Sequence, residues 1–141
     1  MGGAGARRHT APMTSVYLVD DSKLVCSRLR EMLAAVPGVE VVGEDATVAA
    51  AVAGIPAKHP DIVLVDLHLA DGSGFDVLRA LDGKAPGTDW YMLSNFAADP
   101  YRQIAERLGV RAYFDKFKDF ERVKDIVAEH ARGAATHAVA Q

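Results

Sequence analysis

Short, unbroken apolar runs alternate along most of this chain with stretches whose apolar residues recur every three or four positions. The run "SVYLV" (15–19) is followed by Val25, Leu29, Met32, Leu33 and Val36, which share one helical face. Ser22 is placed to cap that helix, and Pro37-Gly38 to stop it. "VEVVG" (39–43) predicts a second strand, and the alanine-rich "TVAAAVAGI" (47–55) a short helix. "DIVLV" (61–65) predicts a third strand, before a helix carrying Phe75, Val77, Leu78 and Leu81. "WYMLS" (90–94) precedes a helix opened by Asp99-Pro100, where proline suits the first helical position. "RAYF" (111–114) and an amphipathic helix with Phe120, Val123, Ile126 and Val127 complete the series.

Five strands, each followed by a helix, predict an α/β fold: a doubly wound parallel sheet with helices on both faces. Strands covered on both sides need apolar residues at every position, which explains why the runs do not alternate with polar residues. Right-handed crossovers bring all the carboxyl ends to one edge, where ligands bind in such sheets. The patterned region predicts one domain over residues 14–132. Residues 1–13 and 133–141, small and weakly patterned, are expected to be a flexible arm and tail.

Composition narrows the function classes. Of 141 residues half are apolar and a quarter charged, enough for one continuous core. The net charge of -3 gives no general attraction to nucleic acid or acidic membranes. The single cysteine, Cys26, excludes an internal disulfide and suits a reducing, cytoplasmic setting. No apolar run approaches the ~20 residues that a membrane helix needs.

The candidate chemistry lies just beyond the strands. The first strand ends at Asp20 and Asp21, the third at Asp66, the fourth at Ser94, and the fifth at Asp115 and Lys116. Polar residues end strands everywhere, and Asp20-Asp21 could simply cap a helix. Their convergence on one edge is what points to a site. Three carboxylates in close quarters raise one another's pKa unless a cation compensates. An all-oxygen set suits Mg2+ or Mn2+, whereas His9, His59, His68, His130 and His137 lack the spacing of a zinc site. Metal, ammonium and hydroxyl around one carboxylate make a phosphoryl-transfer site with its own nucleophile. Gly72 and Gly74 read as turn residues, Trp90 as sheet packing and Cys26 as a small buried group.

With "DD" at 20–21, "VDLHLADGSGFDVL" at 65–78, "LSN" at 93–95 and "FDK" at 114–116, the chain resembles the receiver domain of two-component response regulators. The resemblance spans residues 16 to about 130. It implies a flavodoxin-like strand order 2-1-3-4-5, and the short tail after the fifth helix gives the expectation of a stand-alone regulator. It further implies that Asp66 accepts a phosphoryl group from a histidine kinase or phosphotransfer protein, with Asp20, Asp21, Asp66 and the backbone carbonyl of His68 holding Mg2+. Lys116 and Ser94 would each hold a phosphoryl oxygen, and Ser94 and Tyr113 would act as the switch. The expected output is a protein contact on the face of helix four, strand five and helix five, made by a monomer or weak dimer. No direct nucleic-acid or membrane contact is expected, and no turnover beyond the chain's own phosphorylation and dephosphorylation. The side chains of His68, Asn95 and Phe96 are expected to modulate hydrolysis. Ala70 and Phe117 stand where the family usually has proline, and Asn95 where it usually has a smaller residue.

Three other functions compete. An aspartate-nucleophile phosphatase needs a second acid two residues after the nucleophile, where His68 stands. A pseudo-receiver would bind partners without phosphorylation, against intact Asp66 and Lys116. The chain could also be the receiver fragment of a larger DNA-binding regulator.

Overall fold

The computed structural model describes residues 13–95 and 99–140, so that nearly all of the expected N-terminal arm, and Phe96, lie outside the described residues. Five parallel strands form the sheet: β1 (Thr14–Val19), β2 (Val39–Asp45), β3 (Ile62–Asp66), β4 (Asp89–Ser94) and β5 (Val110–Asp115). Their order is β2-β1-β3-β4-β5, as the resemblance implied. The helices are α1 (Lys23–Ala34), α2 (Val48–Lys58), α3 (Gly74–Ala80), α4 (Asp99–Arg107) and α5 (Phe120–Ala140).

Side-chain alternation splits each strand between two cores. Val16 and Leu18 of β1, with Leu64, Leu93 and Phe114, pack against Leu29 and Leu33 of α1 and Val123 and Val127 of α5. Tyr17 and Val19, with Val63, Val65 and Met92, face Ile55 of α2, Phe75, Val77 and Leu78 of α3 and Ala105 of α4. Both sets are buried, so the interior positions of the central strands must be apolar, and polar residues stand only at their ends. Asp20, Asp66 and Lys116 lie next to this packed apolar framework.

The helices begin where side chains satisfy their free amides. Ser22 Oγ accepts from Val25 N at 3.2 Å, and Thr47 Oγ1 from Ala50 N at 3.1 Å. Ser73 and Asp76 form a reciprocal capping box at α3. Two elements run longer than the sequence pattern predicts. Helix α2 continues through Pro56 and stops at His59, whose φ of 47° is left-handed. Helix α5 stays helical to Ala140, past the expected domain end at residue 132. Among the described residues, no helix is long and apolar enough to cross a membrane. The apolar pattern gives no sign of one further element: between β3 and α3, His68–Leu69 and Gly72–Ser73 pair as a small antiparallel hairpin.

Candidate functional site

Strand β1 delivers Asp20 and β3 delivers Asp66 to the carboxyl edge, and both side chains are buried. Lys116 reaches them from the turn after β5. Its Nζ lies 2.8 Å from Asp20 Oδ2 and 3.0 Å from Asp66 Oδ2. The backbone holds these residues firmly: Asp20 N donates to Asp45 O at 2.9 Å and Lys116 N to Ser94 O at 2.8 Å. Ser22 N donates to Asp20 Oδ1 at 2.8 Å.

Burial and the charge of Asp20 push the Asp66 carboxyl up to about 6, although Lys116 and the His68 amide pull the other way. Burial lowers the Lys116 pKa, but the two carboxylates more than reverse this, and the net shift is upward. At neutral pH the pocket therefore holds a lysine cation between carboxylates.

Asp21 is exposed, yet it presents a carboxylate oxygen within 4.8 Å of oxygens from Asp20 and Asp66. Asp20 Oδ2 is buried, and its close contact with the Lys116 ammonium is charge attraction rather than a well-directed hydrogen bond. An incompletely satisfied carboxylate oxygen among three carboxylates fits a hard divalent cation. The set contains no sulfur or imidazole, so it does not favour zinc.

Other expected residues have separate fates. Ser94 is buried at the end of β4, one position beyond Leu93, the register partner of Asp66. Tyr113 is buried and hydrogen-bonded to the Ser94 side chain. Arg102 of α4 covers the Tyr113 ring, 5.2 Å from its centroid, and donates to its backbone carbonyl at 3.3 Å. His68 has an exposed side chain lying edge-on to Tyr101, with centroids 6.4 Å apart, while its backbone amide serves Asp66. Asn95 is exposed. Asp115 turns away from the cluster: its Oδ1 accepts from Phe117 N at 2.8 Å and Lys118 N at 2.9 Å, closing its own turn.

Two further features escape the sequence pattern. Gly72 and Gly74 have the look of turn residues, but neither has a positive φ. A Cβ at Gly74 would lie 2.5 Å from the Asp66 carbonyl oxygen, so glycine is needed there for close approach. Phe117, directly after Lys116, is 77% exposed beside the pocket.

The response regulator receiver domain family has a sequence profile that matches residues 16–128. The chain belongs to this family. This receiver is 36% identical over 104 residues to the DNA-binding transcriptional activator DevR/DosR of Mycobacterium tuberculosis, covering 74% of this chain and 48% of that protein. It is 30% identical to the response regulator protein VraR of Staphylococcus aureus, covering 84% and 56% of the two chains. The receiver thus spans about half the length of these relatives. The fold matches the signal receiver domain of NarL from Mycobacterium tuberculosis, with a TM-score of 0.78 at 24% identity, covering 86% of this chain and 98% of that one. It also matches a CheY-like receiver from Methanospirillum hungatei, with a TM-score of 0.75 at 21% identity, covering 89% and 98%.

Proposed function

We propose that this receiver accepts a phosphoryl group on Asp66 from a phosphohistidine donor and uses it to change a protein contact. The observation that carries this reading is a buried carboxylate paired with Lys116 inside a three-carboxylate pocket. An Asp66 oxygen attacks phosphorus, the phosphorus–nitrogen bond breaks, and the donor imidazole leaves with the bond's electron pair and takes up a proton. Asp20, Asp21, Asp66 and the His68 carbonyl would hold Mg2+, which supplies charge neutralisation for the phosphoryl oxygens. Lys116 supplies a second positive charge and Ser94 a hydroxyl donor at the neighbouring strand end. Incubation with Mg2+ and a small acyl phosphate should add one labile phosphoryl mass to the intact protein. A chelator should abolish that addition, and labelling that persists without metal would count against the metal role.

Exposed apolar residues support docking of a protein donor. Leu24 at the start of α1 is 67% exposed, and Phe117 lines an open groove of about 460 Å3 with Met32 and Phe120. A histidine kinase or phosphotransfer protein fits that edge. Output runs through α4, β5 and α5, where Arg102, Arg111, Arg122 and Tyr113 line one groove. The named relatives are DNA-binding or response regulators, which favours a receiver acting as part of a DNA-binding regulator over one that acts alone. Intact Asp66 and Lys116 weigh against a pseudo-receiver.

The exposed Asn95 follows Ser94 at the site's rim, where a side chain narrows the path of attacking water. Asn95→Ala should shorten the phosphoryl lifetime by about threefold, well below the ~100-fold that misplacing a reacting group can cost, because the side chain only narrows the approach. Following the intact mass after removal of the donor checks this, and an unchanged lifetime would show that Asn95 does not obstruct water.

A further inference from the structure

The tip of the hairpin between β3 and α3 is tied to a different helix. Asp71 Oδ1 accepts from Val48 N at 2.6 Å and Oδ2 from Ala49 N at 3.2 Å. Thr47 Oγ1 takes the next amide, Ala50 N. The first three amides of α2 are thus satisfied by two side chains, one local and one 23 residues away in sequence. The helix N-terminus also favours the Asp71 charge, and its amides hold that carboxyl below the usual carboxylate range.

The other end of the hairpin touches the site. His68 donates its backbone amide to the Asp66 carboxylate and pairs with Ser73 across the hairpin. Gly74 N donates to Leu67 O at 2.8 Å, and Leu67 N to Leu93 O at 3.0 Å. The segment from Asp66 to Gly74 is therefore fixed at its base by the sheet, while at its tip the Asp71 carboxylate makes the link to α2. Ala70, at the tip, provides no ring restraint on the backbone.

We infer that Asp71 is a positioning residue for the acidic pocket: by latching the hairpin to α2 it fixes the His68 backbone against Asp66 and so sets the pocket's affinity for a divalent cation. This inference rests on the metal role proposed above. Its physical basis is preorganisation, because a carbonyl and a carboxylate must be held together before the ion arrives. Losing the latch leaves the ligands in place but lets their spacing fluctuate.

The test combines Mg2+ titration by calorimetry with backbone amide exchange on the metal-free protein. Asp71→Ala should weaken Mg2+ binding about tenfold, the usual scale for a group supporting metal ligands. It should also speed exchange at Val48, Ala49 and His68. Asp71→Asn keeps an acceptor oxygen and should recover part of both losses. Thr47→Ala removes the neighbouring cap of the same helix without touching the hairpin, so it should lower stability and leave Mg2+ affinity unchanged. Equal Mg2+ binding by wild type and Asp71→Ala overturns this inference alone, as does an equal loss in Thr47→Ala. A wild type that takes up no Mg2+ overturns it together with the proposed metal role.

Discussion

Asp66→Asn should eliminate acyl-phosphate labelling and at the same time make the metal-free protein more stable at pH 7. Labelling is lost because an amide cannot serve as the nucleophile. The stability gain follows from linkage. The folded Asp66 carboxyl titrates at about 6, above its ordinary 3.8, so the fold holds its proton more tightly than the unfolded chain does. The ionised side chain therefore costs stability above pH 6, and this cost disappears as the pH falls toward 4. A rise of that size corresponds to about 3 kcal/mol at most, and residual solvent access reduces this to roughly 1–2 kcal/mol. Lys116 keeps its partner Asp20 in the variant, so no cation is stranded. Thermal unfolding from pH 4 to 8 checks the prediction. The variant's advantage should amount to several degrees at pH 7 and vanish near pH 4; a less stable variant at pH 7 would contradict the assigned cost.

Gly74→Ala should be the most damaging small substitution near the pocket. Its Cβ would meet the Asp66 carbonyl oxygen at 2.5 Å, Met92 Cε at 3.0 Å and Val65 Cγ2 at 3.1 Å. Methionine can move, but the Asp66 backbone belongs to a central strand and cannot. Overpacking against such a fixed atom costs about 3 kcal/mol. The strain falls on the residue that carries the proposed nucleophile, so labelling should slow as well as Tm fall. Chemical denaturation and intact-mass labelling would measure the two effects. Wild-type behaviour in both would mean that the strand end yields more easily than its packing indicates.

The strands are legible because both faces of the sheet are covered, which writes an unbroken apolar run at each strand. The acids are legible because they follow those runs directly: Asp20 after Val19, Asp66 after Val65. Asp115 has the same local signature yet turns back onto Phe117 and Lys118, since a strand-end carboxylate can equally well satisfy nearby amides. The 68–73 hairpin has two residues per strand, too few to show any periodicity. The alanine-rich pattern of α2 ends at Ile55, but the helix runs on through Pro56 to Lys58. The Asp71 cap cannot be read locally, because its partners lie 23 and 22 residues away. Gly74 looks like a turn residue because sequence does not reveal which backbone atom lies opposite a missing side chain.

Lys116, held between Asp20 and Asp66, also bears on how the protein survives without metal. Its ammonium is a resident placeholder, so carboxylate repulsion does not force the pocket open when divalent ions are scarce. Under the proposed metal role, metal supply would govern when the receiver is ready to react, while the lysine keeps the carboxylates compensated without it.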